Sequence, residues 1–299
     1  MGACETYFAV IKSYCAINVL LLPKAFKNGG FVLSPAAMFV AVFFETLCAV
    51  RLSKVAHIQK VYSYPLLMEK ALGVGGLQFA RIVLALAHWE FCIGQMTFTL
   101  KSLQTTFAAW TGHEINMWYY GIAIFLLYSP LVWVRRLEPL SKLFIFAAMM
   151  ILLGVLTTSV FAVRVIEEQG GHGEGYEPVN QDSFWGTIGF AFFMFEGIGC
   201  LLPVMKETEK PQQLPLITAL ALITLCIVYV SFSSICYYAW GASLTEPVVT
   251  EMLPADNLFV QIMKMLFCLN LVFSFPLTMV PAYSTIEVMI MGQRETSQE

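Results

Sequence analysis

The residues best placed to do chemistry are a few charged and amide side chains that stand inside apolar stretches. Near the N-terminus, Lys12, Ser13 and Asn18 lie in an apolar segment that runs into Pro23. An ionisable side chain at membrane depth is costly, so it is usually paired or functional. Polar residues followed by a proline are typical of the discontinuous helices that hold ligands inside membranes. This segment is therefore a candidate binding segment.

The polar side chains of this segment each allow two interpretations. The amide of Asn18 could meet a bound ligand, or it could join two helices through a hydrogen bond worth only about 0.6–2 kcal/mol in membranes. Lys12 lies about one turn inside the end of its segment. Its ammonium could pair near an inner gate, for example with a carboxylate, or it could extend to solvent. The residues alone leave both choices open.

An acidic residue stands in a second apolar segment, where Phe195, Glu196, Gly197, Ile198 and Gly199 follow one another. Burying an isolated charge at membrane depth costs at least about 2.5–3.5 kcal/mol. We therefore expect Glu196 to organise a helix break or to carry a coupling proton. The alternative is a protonated carboxyl that bonds to free backbone amides and has a purely structural role.

A third apolar stretch carries His88 and Glu90. Both groups can titrate near neutrality when they are buried, so the pair could relay protons. Residues two apart point to different faces of a helix, however, which favours an interhelical contact over a relay.

The composition indicates a polytopic membrane protein. Hydrophobic residues make up 58% of the chain and charged residues 12%, and the mean hydropathy is +0.72. An ordinary soluble domain carries about 25% charged residues. The sequence has no basic stripe for nucleic acid, no CxxC pair for a metal, and no GxSxG, P-loop or HExxH motif. We therefore expect no nucleic-acid partner, no metal, no cofactor and no enzyme activity.

Eight apolar stretches approach the 20 or so residues that span a bilayer core. Their approximate bounds are 5–23, 33–53, 77–108, 117–134, 140–164, 183–204, 213–240 and 257–291. They predict an all-α membrane protein with about eight transmembrane helices in one domain over residues 1–299. Lysines and arginines concentrate in alternate loops, so the positive-inside rule predicts that both termini are cytosolic.

A weak internal repeat relates the first and sixth stretches. Asn18 precedes a run of apolar residues and Pro23, and Gly199 precedes a similar run and Pro203, with basic residues after each proline. Copies five spans apart have opposite orientations, as inverted-repeat transporters require. We predict helix breaks at Pro23, Gly199 and Pro203. Because Leu-Leu-Pro is a common string, a chance match is the alternative.

Four segments together resemble a known family. They are KSYCAINVLLLPKAFKNGG (12–30), FWGTIGFAFFMFEGIGCLLPVMKETEKP (184–211), MLPADNLFVQIMKMLF (252–267) and FSFPLTMVPAYSTIE (273–287). In this order they are similar to segments of the amino acid/auxin permease family. Within it the nearest branch is the vacuolar and lysosomal amino-acid transporters, which are related to the proton-assisted ones.

The resemblance implies a partial leucine-transporter-like bundle and secondary active amino-acid transport by alternating access. It further implies a small neutral amino acid as substrate, a proton or Na⁺ as coupling ion, and a vacuolar, lysosomal or other endomembrane location. With the residue chemistry above, the predicted substrate-binding positions are Ala16, Ile17, Asn18, Gln95, Phe195, Glu196, Gly197 and Ile198. The predicted gating or coupling positions are Lys12, Ser13, His88 and Glu90.

The sequence departs from the family pattern in its number of spans. The family usually carries eleven, of which ten form two inverted repeats, whereas we find eight here. We therefore expect an incomplete or truncated transporter domain, or a reduced descendant of one. Gln95 stands where the family has an aromatic residue facing the substrate, and Ala9 where the proton-assisted branch has a histidine.

The second departure lies in the first span. Ala16, Ile17 and Asn18 replace a Gly-x-Gly that lets the family's first helix unwind toward the substrate. Glycine reaches unusual backbone conformations cheaply and β-branched Ile17 does not. The first span is therefore predicted to stay helical as far as Pro23. On this basis the alternative function is that of a transport-inactive family member, acting as a structural or assembly subunit of a membrane complex.

Overall fold

A computed structural model of the 299-residue chain describes residues 1–15, 18–113, 115–133, 141–180, 183–246, 248–254 and 256–291. Helices dominate this part of the chain, and it contains no β-strand. The helices are α1 (Ala3–Tyr14), α2 (Asn18–Gln59), α3 (Tyr64–Thr111), α4 (Met117–Tyr128), α5 (Ser141–Gln169), α6 (Phe184–Met194), α7 (Ile198–Lys206), α8 (Leu214–Trp240) and α9 (Leu258–Met291). Short 3₁₀ turns occur at Ser129–Trp133, Pro211–Gln213, Gly241–Ser243 and Val249–Met252.

Several helices have the length and composition of membrane spans. Six segments of the described chain qualify: Asn18–Gln59, Tyr64–Thr111, Phe146–Gln169, Trp185–Lys206, Pro211–Ser243 and Leu258–Pro276. A shorter apolar helix covers Met117–Leu131. The prediction of an all-α polytopic membrane protein is confirmed, whereas the number of spans stays a prediction.

Two long helices bend at a glycine. Gly30 in α2 has φ 81° and ψ 176°, and Gly73 in α3 has φ 72° and ψ −164°. Side chains make a positive φ costly, so glycine suits both bends. At Gly30 an added Cβ would also lie 2.7 Å from the carbonyl oxygen of Pro178. The bend at Gly30 therefore joins the second half of the first predicted span to the second predicted span.

The first span is broken, and the prediction that it stays helical as far as Pro23 is wrong. Helix α1 ends at Tyr14, Cys15 is extended with φ −121° and ψ 102°, and α2 begins at Asn18. The hydroxyl of Tyr229 in α8 donates a hydrogen bond of 2.9 Å to the carbonyl of Tyr14. This hydrogen bond satisfies a carbonyl at the end of α1 that has no partner within the helix. A long-range contact therefore supports the break in a span that has no Gly-x-Gly.

The predicted breaks at Pro23 and Pro203 are wrong, whereas the sixth span is interrupted just before Gly199, because α6 ends at Met194 and α7 begins at Ile198. Pro23 lies inside α2, and both Gly199 and Pro203 lie inside α7. Proline fixes φ near a helical value and removes one N–H donor. Each proline is the sixth residue of its helix, so only the carbonyl of the second residue loses its partner. Both helices therefore begin upstream of their prolines.

The two broken spans follow the same spacing. Helix α1 ends at Tyr14 and α6 ends at Met194, while α2 begins at Asn18 and α7 begins at Ile198. The same offset of 180 residues separates both pairs and also separates the two prolines. The internal repeat seen weakly in the sequence therefore coincides with an equal placement of the helix breaks.

The packing of the helices places the breaks at the centre of the bundle. Helix α2 packs on α6 and α8, α3 on α9, and α1 on α5, α7 and α8. The largest fully buried side chains include Tyr14, Phe195 and Tyr229, which flank the two breaks. The core is therefore built around the interrupted helices.

Candidate functional site

A cavity of about 130 Å³ lies between the two helix breaks. Its walls come from α1, the start of α2, α3, the α6–α7 junction and α9. Most of the predicted site residues line it: Lys12, Ser13, Asn18, His88, Gln95, Glu196, Gly197 and Ile198. Residues from five separate parts of the sequence thus meet at one place.

Two predicted site residues, Phe195 and Glu90, stand apart from this cavity lining. Phe195 is fully buried and packs on Tyr229, with 5.6 Å between the ring centroids, so it belongs to the core. Glu90 is exposed on α3. Ala16 and Ile17 lie outside the described residues.

The two breaks touch through Tyr14 and Gly197. A Cβ added to Gly197 would lie 2.6 Å from ring atoms of Tyr14, so only glycine leaves room for this ring. The Tyr14 hydroxyl donates a hydrogen bond of 3.4 Å to Glu45 in α2. Sequence reasoning missed Tyr14, although it directly follows Lys12 and Ser13 in the candidate segment.

Gly199, where we predicted a helix break, lies in the first turn of α7 and allows α3 to pack closely against it. A Cβ at this position would lie 2.6 Å from Nε2 of His88 and 2.7 Å from a methyl of Leu84. The bare glycine therefore lets α3 bring His88 against the first turn of α7.

A polar stripe on α9 forms another wall of the site. Asn270, Ser274 and Thr278 are spaced four residues apart, which places them on one helix face. The Ser274 hydroxyl donates to the Asn270 carbonyl at 2.6 Å. Gln95 on α3 donates from Nε2 to the Thr278 hydroxyl at 3.1 Å. Sequence reasoning missed this stripe, and the four-residue spacing is the signal that could have found it.

Lys12 has an amide partner. Its ammonium donates a hydrogen bond of 3.0 Å to Oδ1 of Asn270, and the side chain is buried with 3% exposure. The predicted carboxylate pairing and the solvated head group are therefore both wrong. The contact joins α1, just before its break, to the polar stripe of α9.

Two buried polar atoms at the cavity lack a hydrogen-bond partner in the described structure. They are Oε1 of Gln95 and Nδ1 of His88, and both residues line the cavity. Buried polar atoms are rarely left unpaired, and a ligand is one explanation when they are. A molecule that carries both donors and acceptors would satisfy such groups.

The cavity lining also carries one positively and one negatively charged side chain. Lys12 and Glu196 line it with opposite formal charges, and the carboxyls of Glu45 and Glu90 lie within electrostatic reach of Glu196. The interrupted helices add partial charges, because helix N-termini are positive and C-termini negative. Asn18 and Ile198 start two such helices at the cavity. The arrangement suits a ligand with both an anionic and a cationic group.

One end of the bundle is held by lysine-to-carbonyl bonds. The ammonium of Lys24 donates to the carbonyl of Thr245 at 2.6 Å, and that of Lys27 donates to Ala242 at 2.7 Å. Both lysines lie in the part of α2 that precedes its bend. These bonds fasten this half of α2 to the segment that follows α8.

The acidic loop (residues 170–180) is fastened at the same end. The amide of Gly173 donates to the carbonyl of Tyr238 at 2.9 Å, and that of Val32 donates to Pro178 at 2.8 Å. The loop therefore joins the bend of α2 to the end of α8.

The comparisons with known proteins were consistent with one another. A family model described as "Transmembrane amino acid transporter protein" matches residues 1–299. Vacuolar amino acid transporter 4 of Saccharomyces cerevisiae is 27% identical over 288 residues, which cover 95% of this chain and 40% of that protein.

Two further relatives are similarly distant. Vacuolar amino acid transporter 3 of Schizosaccharomyces pombe is 27% identical over 288 residues, 93% of this chain and 42% of that protein. Amino acid transporter AVT3B of Arabidopsis thaliana is 25% identical over 298 residues, 95% of this chain and 71% of that protein. The chain thus spans about two fifths of the length of the two fungal relatives.

Proposed function

The chain belongs to the transmembrane amino acid transporter protein family, whose model matches its whole length, and we propose that it moves amino acids across a membrane by alternating access. The observation that carries the proposal is the cavity between the two broken helices, with Lys12 and Glu196 on its walls. In many transporters, broken helices that meet near the bilayer midplane direct their helix ends at the charged groups of the substrate.

The size and charge of the cavity support a small neutral amino acid as substrate. An engineered cavity of about 150 Å³ holds benzene, which has six carbon atoms. The cavity here, of about 130 Å³, suits a ligand of similar size, and alanine has six heavy atoms. One lysine and one glutamate balance each other on the lining, which favours a zwitterion over an amino acid with a charged side chain.

The substrate would lie with its two charged groups on different helix ends. Its carboxylate would face the N-terminal turns that begin at Asn18 and Ile198, where backbone N–H groups and the helix dipole favour an anion. Its ammonium would face Glu196 and the carbonyl ends of α1 and α6. Oε1 of Gln95 is a further acceptor on the α3 side.

Coupling and gating would use the groups around this site. Glu196 supports a proton as the coupling ion, since a carboxyl that lines the cavity can take up and release one during a transport cycle; Na⁺ is the alternative. His88 would assist as a second titratable group at the cavity. Lys12 would act at the gate. Its hydrogen bond to Asn270 joins α1 to α9, so this bond would break or change its length when either helix moves. Ser13 shares this gating segment.

The location follows from the relatives and from the charge pattern. Two of the relatives are named as vacuolar amino acid transporters, which favours a vacuolar or related endomembrane. Both termini would be cytosolic by the positive-inside rule. Residues 1–299 would act as one transmembrane domain. The assembly-subunit alternative loses one of its supports, since the first span is interrupted even without Gly-x-Gly.

Uptake into liposomes tests the proposed transport. The purified 299-residue chain is reconstituted, and the uptake of labelled alanine is followed with and without a pH gradient. We expect saturable uptake that an excess of unlabelled serine or alanine reduces and that lysine or glutamate leaves unchanged. Uptake equal to that of protein-free liposomes under every gradient would contradict transport by this chain.

A further inference from the structure

A second concave site lies away from the cavity, between the last turns of α2 and the start of α8. It is a groove of about 550 Å³ that shares no lining residue with the cavity between the breaks. Its polar lining includes Lys54 and His57 from α2 and Gln212 from the turn before α8. Nothing in the proposed transport uses this groove.

The polar end of the groove offers unused positive charge and hydrogen-bond capacity. Lys54 is exposed, and in the described part of the chain no carboxylate pairs with it. The ring nitrogen Nδ1 of His57 is buried and has no hydrogen-bond partner there. No acidic residue lines the groove. An anion is therefore the ligand that these groups would stabilise.

The start of α8 adds to this preference. Helix α8 is 27 residues long, and its N-cap residue Gln213 makes no side-chain capping bond. The N–H of Leu214 donates to the carbonyl of Pro211 and Pro215 has no N–H, so this helix end contributes mainly through its dipole. The N-terminus of a helix carries a partial positive charge that an anion or a capping side chain can offset. The helix end by itself would not define a site, but here it lies beside Lys54 and His57.

Apolar side chains complete the lining of the groove, among them Val50 from α2 and Leu216 from α8. Leu216 is 65% exposed and lies in the first turn of α8, and Val50 lies one turn further from the end of α2 than Lys54. In a membrane such side chains contact hydrocarbon, because water would make their exposure costly. The groove thus passes from basic and polar groups near the helix ends to an apolar side chain about one helical turn further inside α2.

We propose that this groove binds an anionic glycerophospholipid of the surrounding membrane. The phosphate would accept hydrogen bonds from the ammonium of Lys54 and from His57, and the acyl chains would follow Leu216 and Val50 toward the middle of the membrane. Charge complementarity selects this occupant, since an apolar partner would leave Lys54 and His57 unmatched. Basic pockets between transmembrane helices on the cytoplasmic side are known to hold phospholipid head groups. Such a lipid would bridge α2 and α8.

Lipid retention measured by native mass spectrometry tests the proposal. The full chain is purified from nanodiscs that contain equal amounts of phosphatidylinositol and phosphatidylcholine, and the retained lipid is counted per protein. We expect one phosphatidylinositol to be retained, and Lys54→Gln with His57→Gln to reduce its retention at least tenfold. The control is Lys70→Gln, which removes a nearby exposed lysine whose ammonium bonds to Gln59; its retention should match that of the wild type.

Two further arms separate the lipid from other occupants. Leu216→Ser changes an exposed residue that lines the groove and should fold normally, so a drop in lipid retention in this variant supports the acyl-chain contact and unchanged retention contradicts it. Excess inorganic phosphate should leave the lipid bound. The proposal is overturned if the Lys54 and His57 variant retains as much phosphatidylinositol as the wild type, if phosphatidylcholine is retained equally, or if free phosphate alone displaces the lipid.

Discussion

The two helix breaks occupy equivalent places in the chain, 180 residues apart, but different interactions hold them open. At the first, Cys15 is extended and the carbonyl of Tyr14 accepts a hydrogen bond from Tyr229, 215 positions along the chain. At the second, Gly197 leaves space that the ring of Tyr14 fills. A helix can therefore be interrupted either by a long-range hydrogen bond or by a residue without a side chain.

The charged side chains near the two breaks have opposite signs. The first break has a buried lysine, Lys12, a few residues upstream, and the second contains the carboxyl of Glu196. The two charges do not stand at equivalent positions, since the 180-residue offset pairs Lys12 with Phe192 and Glu196 with Ala16. Opposite charges on the two broken spans nevertheless give the cavity a polarity that two identical repeats would lack. A zwitterionic substrate would be oriented by this difference.

Filling the second break should have the largest effect. In Gly197→Val the new side chain would collide with the Tyr14 ring, since even a Cβ would lie 2.6 Å away. A displacement of about 1 Å at a site can cost about a hundredfold in rate. We expect alanine uptake to fall by about that factor while the protein still purifies as a monodisperse species.

The matched control for this change lies on the same broken span. A Cβ at Gly189 would meet nothing within 4 Å, so Gly189→Ala should retain wild-type uptake. If both variants transport equally well, the contact between the two breaks has no functional role.

Neutralising the second break should have the next largest effect. Glu196→Gln removes the carboxylate proposed to face the substrate ammonium. A hydrogen bond to a charged group contributes about 1.5–3 kcal/mol, which corresponds to about 10–100-fold in affinity. Alanine binding measured by scintillation proximity should weaken by that range.

Glu90→Gln is the comparison for this change, because it removes a carboxyl that interacts with Glu196 but does not line the cavity. Its alanine affinity should stay within about twofold of the wild type. An equal loss in both variants would assign the effect to the carboxyl cluster as a whole and contradict a direct contact at Glu196.

Removing the partner of Lys12 tests the charge beside the first break. Asn270→Ala would leave a buried ammonium without its hydrogen bond of 3.0 Å. Losing a hydrogen bond to a charged group costs about 1.5–3 kcal/mol, so the free energy of unfolding in detergent should fall by that amount. The double variant Lys12→Met with Asn270→Leu should recover part of it, because no buried charge then lacks a partner. Equal losses in both would contradict the pairing.

The hydrogen bond that holds the first break open should give the smallest effect. Tyr229→Phe removes the donor to the Tyr14 carbonyl and should lower the free energy of unfolding by about 0.5–1.5 kcal/mol. The control is Tyr120→Phe, since the buried hydroxyl of Tyr120 has no hydrogen-bond partner in the described structure. That variant should be neutral or slightly more stable. A neutral Tyr229→Phe would mean that the break does not depend on this bond.

Local features of the sequence predicted the membrane class and much of the candidate site. Lys12, Asn18 and Glu196 stand out because polar side chains are rare in apolar stretches, and Gln95 was predicted from the family resemblance. The structure places all four on one cavity. Their prediction needed only composition, spacing and the family resemblance. Their roles toward a substrate stay predictions.

The features that sequence reasoning missed depend on distant partners. Ile17 and the absence of a Gly-x-Gly predicted a continuous first helix. The helix is interrupted, and the hydroxyl of Tyr229 in α8 donates a hydrogen bond to the carbonyl at the break. We predicted that the ammonium of Lys12 pairs with a carboxylate or extends to solvent, but its hydrogen-bond partner is Asn270, 258 positions away. Local propensity is a weak guide wherever a contact of this range supplies the hydrogen bond.

The central claim is that both breaks form one binding site, and a double-mutant cycle on alanine affinity tests it most directly. Equilibrium binding is measured for the wild type, Asn18→Ala, Glu196→Gln and the double variant. Residues that share a bound substrate should show a coupling free energy above about 0.5 kcal/mol, whereas independent sites add to within about 0.3–0.5 kcal/mol. We predict that each single change weakens binding and that the two changes are coupled. Additive effects, or unchanged affinity in either single variant, would contradict the account.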